Sequence, residues 1–433
     1  MKALNTTAIR AAVESLRDEL IELAQALVRI PSVTGEEEAA QQFLSQRLKN
    51  WGLSVDVWQP SPNEIVRHPA YCDDGLPVAR SNLVACWGDP TQRQSAALIL
   101  NGHIDVVPTG DRERWHEDPF AGVIRDGRLY GRGACDMKGG LAALCIAVRA
   151  AQRLEITPTR PILIQSVIGE ETGGLGTLAG ILRGYRADAA VIAEPTQLAL
   201  CPVHAGASSF RLHVAGRAAH GAMRRQGVSA IDKFWIIWRA LRDFERQRHA
   251  HFQHPLCRPD QLAAPVSIGK LSSGNWPSTV PEEAIAEGRF GILPREDIAL
   301  ARTAFEAAVT AACRTDEWLR HHPVRVEWFE GQFEPGETSL EAPILQEISR
   351  AHREVTGRMP AMHGVPYGCD LRLFTRYANI HAVLYGPGDV QLAHSAEESI
   401  ALEDLVTAAK VYTTLVVRKL KREDVNQDEE CVI

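Results

Sequence analysis

The sequence lacks an uninterrupted apolar run near the ~18 residues a membrane span needs, a Cys-x-x-Cys pair, and an excess of basic over acidic side chains. Each absence removes a class of function. Lys and Arg number 47 against 54 Asp and Glu, a net charge of −7; a surface that tracks phosphates needs a basic excess, so nucleic acid is not the main partner. The basic stretch 239–248 is punctuated by Asp243 and Glu245 and reads as a solvated helix face. The nine cysteines are scattered and odd in number, which argues against a disulfide framework and for a reducing cytoplasm. Cys135, beside Asp136, points the opposite way from it in an extended chain and reads as inert. No export signal is expected either: the first apolar run, 20–30, is broken by Glu22, Gln25 and Arg29 and starts too late.

What is present is enough apolar material, 45% of 433 residues, for a large core and two domains. Helix and strand signals alternate, which predicts an α/β sheet flanked by helices. Helical spacing covers 7–29, and Thr34-Gly35-Glu36-Glu37 reads as a capping box for a helix running to 50. Strands are predicted at 53–58, 82–87, 96–101, 161–167 and 189–193, a loop at 61–80 and a helix at 139–153. After Pro202 the texture changes: strand 209–214, helix 229–247, strands 265–271 and 284–292, helix 298–313 and strand 324–329. That order, β-α-β-β-α-β, is ferredoxin-like. The α/β texture resumes with helix 341–356, strand 382–385 and helix 402–420, before a charged tail, 421–433, expected to fray. The expected division is 1–205, then an inserted domain 206–330, then 331–433.

Five segments carry chemistry: Gly102-His103-Ile104-Asp105, Cys135-Asp136-Met137-Lys138-Gly139-Gly140, Gly169-Glu170-Glu171-Thr172-Gly173-Gly174, Glu194-Pro195 and Ala393-His394-Ser395. The first four fall at or just beyond the carboxyl ends of predicted strands or in the turns that follow them, where open α/β sheets bind ligands. Together they offer two His and several carboxylates, the ligand set of a two-metal hydrolytic site. Taken singly each segment has a plain structural reading, surface charge for Glu170-Glu171 or a helix cap for Asp136. Their joint order is what carries weight.

In that order they resemble the co-catalytic zinc peptidase family that includes acetylornithine deacetylase, succinyl-diaminopimelate desuccinylase, aminoacylase and glutamate carboxypeptidase. The resemblance spans nearly the whole chain. It implies a catalytic domain with a central mixed sheet flanked by helices, and an inserted ferredoxin-like lid and dimerisation domain. It further implies two Zn²⁺ per subunit, with His103 and Glu194 on one, Glu171 and His394 on the other, and Asp136 bridging. Cobalt or manganese would suit the same ligands. Glu170 matches the family's general base and Asp105 the carboxylate that orients His103. His220, in Ala218-Ala219-His220-Gly221-Ala222, matches a His that contacts the oxyanion in the partner subunit's site, which implies a homodimer.

The sequence departs from the family at the substrate. Many relatives place Asn three residues before the Pro of a Val-Pro step and Arg eleven after it; around Val280-Pro281 those positions are Ser278 and Ile292. Asn275 and Arg289 lie three residues earlier, so a shifted clamp is one reading. Arg372, in Gly368-Cys369-Asp370-Leu371-Arg372, is another: it could pair a substrate carboxylate or simply Asp370. The stretches 275–281 and 288–294 resemble a branch that includes deformylases of an N-formyl aminopyrimidine. The expectation is a cytoplasmic amidohydrolase that removes a small acyl group from a nitrogen, with acetylornithine-like substrates first and a formylpyrimidine or a dipeptide next. A binding protein that has kept the fold without catalysis is the alternative of a different class; such descendants lose the base or a ligand, and here all six positions are filled.

Overall fold

The computed structural model describes residues 6–257 and 262–429, with the side chains of Glu330 and of 421–429 left aside. The chain forms two compact units. The first comprises Met1–Pro202, Thr338–His363 and Asp370–Ile433; the second comprises Val203–Glu337 and Gly364–Cys369.

The first unit is built on a mixed sheet in the order Ser54–Trp58, Asn82–Trp87, Ile162–Val167, Leu98–His103, Ala189–Ile192 and His381–Leu384. Leu98–His103 runs parallel to both neighbours, and His381–Leu384 is parallel to Ala189–Ile192; Asn82–Trp87 is antiparallel to both of its own. Strands 82–87, 98–103 and 162–167 are buried at every position. They therefore read as apolar runs rather than as alternating patterns. Helix Gly139–Arg153 is nearly all apolar for the same reason and packs beneath helix Leu402–Glu429. Gly140 lets this helix approach closely: a Cβ there would stand 2.4 Å from the Ala193 carbonyl oxygen, just before Glu194.

The second unit is a four-stranded antiparallel sheet in the order Val266–Ser273, Glu283–Ile292, Gly206–Ala215, Arg325–Phe333. Helices Ala230–His251 and Ile298–Arg314 pack with it. Phe305 joins the layers, its ring 4.8 Å from Phe210 and 4.9 Å from Phe290, at distances where aromatic pairs attract beyond their buried area.

Several local expectations are corrected. The predicted helix 7–29 is two helices, Thr6–Glu14 and Arg17–Arg29, because Leu16 leaves helical backbone at φ −110, ψ 9. The capping box does not form: Glu37 precedes helix Glu38–Asn50 with no side-chain cap bond, and Thr34 donates instead to Asp105 Oδ2 at 3.0 Å. The loop 61–80 contains a short helix, Pro62–Ile65. Strands Leu200–His204 and Met362–Val365 went unread, the first because it contains a proline and the second because it is short and half glycine and histidine. The last helix reaches Glu429, and the rest of the tail, 430–433, lies outside the described residues.

Candidate metal and hydrolytic site

Leu98–His103 ends on the imidazole. A carbonyl can only accept, so His103 Nδ1 donates to the main-chain oxygen of Asp105, 2.8 Å away. That fixes a hydrogen on Nδ1 and turns Nε2 toward the cluster. Asp105 was expected to orient this ring with its side chain, but Oδ1 is 3.9 Å from Nδ1. The carboxylate is engaged elsewhere: it accepts from the main-chain N–H groups of Glu170 at 3.2 Å and Glu171 at 3.3 Å. Asp105 therefore orients the ring through its backbone and holds the Glu170-Glu171 turn through its side chain.

His103 Nε2 faces Asp136 Oδ1 at 3.0 Å, and on the other side His394 Nε2 stands 3.4 Å from Asp136 Oδ2 and 3.3 Å from Glu171 Oε2. One carboxylate thus points an oxygen at each of two imidazoles. The ligand atoms of His103, Asp136 and Glu171 lie within 4.8 Å of one another, as do those of His103, Glu170 and Glu194. His394, with φ +59, is held in the left-handed region and is half exposed, so this end of the cluster opens to solvent.

Acidic oxygens outnumber their cationic partners here. Four carboxylates crowd two imidazoles, and Oε1 of Glu170, of Glu171 and of Glu194 is buried without a hydrogen-bond partner. A lone pair on His103 Nε2 and a carboxylate oxygen at 3.0 Å repel unless a proton or a metal ion lies between them. Burial pushes Glu170, Glu194 and Glu171 above the usual carboxylate range, with Glu194, Asp136 and Asp136 respectively adding charge repulsion. Burial would also raise Asp136, but the imidazoles of His103 and His394 hold it low. His394 is pushed up to about 11 by its bonds to Asp136 and Glu171. An oxygen-rich set with two nitrogens fits zinc, cobalt or manganese.

Asp136 is placed by groups the sequence reading did not single out. Glu398 Oε1 accepts from the main-chain N–H groups of Cys135 and Asp136, each at 3.1 Å, while its other oxygen pairs with buried Arg132. Burial raises Glu398 to about 7. Lys138 Nζ, fully buried, donates to the carbonyls of Leu27 and Ile30 and ties the same segment to the end of helix Arg17–Arg29. Glu398 was visible only as one of two acids following His394; its meaning depends on strand Ser399–Ala401 pairing with Arg128–Tyr130, which brings it beside 131–136.

Of the other candidates, Arg372 is 1% exposed, and its Nη2 donates to the Gly173 carbonyl at 2.8 Å. Its charge also lowers Asp370, which burial raises to about 6. The remaining three lie in the second unit. His220 is exposed, its Nδ1 accepting from the Ala222 N–H at 3.2 Å. Asn275 is exposed on a cleft of about 200 Å³ lined also by Ser273, Thr279 and Glu283. Arg289 is half-buried, donates to the Pro366 carbonyl at 2.9 Å, and is lowered to about 10 by burial. His204 and His213 are structural, the first bonding to the Ala205 carbonyl and the second to Glu327.

The sequence profile of peptidase family M20/M25/M40 matches residues 99–418, most of the chain and all five chemical segments. The chain belongs to peptidase family M20/M25/M40. Among M20 relatives, the N-formyl-4-amino-5-aminomethyl-2-methylpyrimidine deformylase of Bacillus subtilis (strain 168) is 27% identical over 425 residues, covering 94% of this chain and 95% of the relative. A dipeptidase from Saccharomyces cerevisiae shares the fold with a TM-score of 0.74 at 16% identity, covering 96% of this chain and 98% of the other. A dinuclear metal binding peptidase of the M20 family from Bacillus subtilis does so with a TM-score of 0.59 at 16% identity, covering 94% and 99%. Membership makes this chain a hydrolase of amide bonds in a metal-dependent family. No helix among the described residues is long and apolar enough to cross a membrane.

Proposed function

We propose that this M20 protein is a cytoplasmic, homodimeric amidohydrolase that uses two zinc ions to remove a small acyl group from a nitrogen. The observation that carries the reading is the line His103–Asp136–His394, one carboxylate between two imidazoles, flanked by buried carboxylate oxygens without partners. In this reading His103 and Glu194 hold one ion, Glu171 and His394 the other, and Asp136 both. Bound there, the ions would supply Lewis acidity toward water and toward the amide carbonyl.

The chain's own groups do the proton work. Glu170, whose carboxylate stands beside His103 and Glu194, takes the proton of the attacking water as the water's oxygen bonds to the acyl carbon. It then delivers that proton to the leaving nitrogen as the C–N bond breaks, giving a carboxylic acid and an amine. His220 donates to the oxyanion of the tetrahedral intermediate in the partner's site.

The substrate best supported is an N-formyl aminopyrimidine, since a relative matched along 94% of this chain is a deformylase of that chemistry. A second reading, an N-acyl amino acid of the acetylornithine type, is favoured by Arg289, a half-buried guanidinium with no acidic partner among the described residues. The dimer would form through the second unit, where edge strand Val266–Ser273 and helix Ala230–His251 expose Leu271 and Trp235. The test is amine release by zinc-loaded protein from N-formyl aminopyrimidines, N-acetyl amino acids including acetylornithine, and dipeptides. Release that a chelator abolishes and zinc restores is expected. A protein that binds zinc and hydrolyses none of these would overturn the reading.

A further inference from the structure

The turn that carries Glu170 has little stiffness of its own. Gly169, Gly173 and Gly174 take φ +61, +139 and +78, backbone that side chains disfavour, and glycine loses more freedom than any other residue when it is fixed. Asp105 holds two of the turn's amides on one side. On another side the loop that follows Pro62–Ile65 presses against the turn at three points. A Cβ on Gly173 would stand 2.5 Å from that of Cys72, and one on Gly169 would stand 3.1 Å from Arg80 Nη2. Between them, Thr172 Oγ1 donates to Asp74 Oδ2 at 2.7 Å.

The same Asp74 oxygen accepts from Arg80 Nη2 at 3.2 Å, and Asp74 Oδ1 accepts from the Leu76 N–H at 3.0 Å. Arg80 continues the chain of contacts: Nη1 donates to Glu37 Oε1 at 2.7 Å and Nε to the Pro77 carbonyl at 3.0 Å. The side chains of Asp74 and Arg80 are each 7% exposed and that of Glu37 is 1% exposed. Buried ion pairs contribute little net stability against well-packed apolar groups. What a charged row of this kind does supply is fixed geometry, and its free end is Thr172, next to Glu171 and two residues from Glu170.

We propose that Asp74 is a positioning residue for the hydrolytic reaction, a brace that fixes the glycine-rich turn through Thr172, with Arg80 and Glu37 behind it. The inference rests on the amide-hydrolase reading of the site and adds to it the device that aims the base. The Asp74 side chain bonds to Thr172, Arg80 and the Leu76 N–H, none of them a residue assigned to a metal ion. A displacement of the reacting groups of about 1 Å costs on the order of 100-fold in rate, so loss of the brace acts on kcat while leaving KM nearly unchanged.

The test compares Asp74→Ala, Thr172→Val, Thr172→Ser and the double variant Asp74→Ala/Thr172→Val, each saturated with zinc. Asp74→Ala and Thr172→Val should each lower kcat by about 10- to 100-fold with KM within about 3-fold. The double variant should fall no further than the worse single, because both remove one shared contact. Thr172→Ser, which keeps the hydroxyl, should recover most of the loss. Hydrogen exchange of the metal-free protein supplies a readout that needs no substrate: the amides of 169–175 should exchange faster in both single variants, with the rest of the first unit unchanged in Thr172→Val and, in Asp74→Ala, outside the loop 72–80 whose Leu76 amide Asp74 holds. If Asp74→Ala does not fold, Thr172→Val, which keeps the side-chain volume, decides the matter. A kcat within twofold of wild type in Thr172→Val, multiplicative losses in the double variant, or unchanged exchange at 169–175 would each overturn the brace. Should the wild type hydrolyse no substrate, the amide-hydrolase reading fails separately, and exchange at the turn alone decides the brace.

Discussion

Replacing Glu170 by Gln alters one atom of a buried side chain and separates the base from every other role the site could give it. The side chain is 6% exposed and its Oε1 has no hydrogen-bond partner, so an amide of the same shape breaks no bond made by that oxygen. The main-chain N–H of residue 170 still reaches Asp105 Oδ1, and the turn keeps its place. What is lost is the ability to accept a proton. Removal of a general base lowers turnover about 100- to 10,000-fold, equivalent to roughly 3–5 kcal/mol of transition-state stabilisation at about 1.4 kcal/mol per decade. The assay is kcat on whichever acyl substrate the wild type hydrolyses best, with bound metal measured on the same samples by elemental analysis. Turnover should collapse while the metal content stays within error of wild type. A Glu170→Gln protein with near-normal kcat would remove Glu170 from the mechanism, and one that loses its metal would make Glu170 a ligand instead.

Asp136→Ala should lower occupancy of both metal positions together, since each oxygen of Asp136 faces a different imidazole; loss of a single equivalent by elemental analysis would refute the bridge. If His220 serves the partner's site, inactive His220→Ala and Glu170→Gln chains should regain up to roughly a quarter of wild-type activity after mixing and re-association, because about half of the dimers are then mixed and each has one complete site; no recovery, once exchange of labelled chains is verified, places His220 in its own subunit's site or outside the reaction. Glu37 is raised to about 7, chiefly by burial and then by the charge of Asp105, against an ordinary value of 4.5. The folded state therefore keeps this proton to higher pH than the unfolded chain, so the contribution of Glu37 to stability falls as pH rises from about 4.5 to 7, by at most about 3 kcal/mol. Urea midpoints of the metal-free protein should drop less between pH 5 and pH 7 in Glu37→Gln than in wild type, and equal drops would contradict the assignment.

What the sequence made legible was order along the chain; what it hid was which neighbour each side chain serves. His103, Glu170, Glu171 and Glu194 could be picked out because each falls close to the end of a buried apolar strand or in the turn after it, and Asp136 because it opens the run Asp136-Met137-Lys138-Gly139-Gly140; the structure brings these five together with His394. The β-α-β-β-α-β order of the second unit was legible because its strands, half-exposed, alternate. Thr34 and Glu37 were misread because a Thr followed three residues later by Glu satisfies a local rule, while their true partners, Asp105 and Arg80, are distant in sequence. Arg372 shows the same limit: a guanidinium two residues from an acid gives no sign that it will be sealed against the Gly173 carbonyl. Glu398 and Asp74 could not be found from local pattern at all, since their roles arise only when strands and loops far apart in the chain meet.

The central claim is that the cluster around Asp136 holds the metals that make this chain an amide hydrolase. The most direct measurement titrates chelated wild-type protein with zinc and follows, in one sample, bound metal and amine released from the preferred acyl substrate. Activity should be absent without metal, rise with it, and saturate as binding reaches two equivalents per chain. Full amine release from the metal-free protein, or saturated zinc binding at a single equivalent that Asp136→Ala leaves intact, would contradict it.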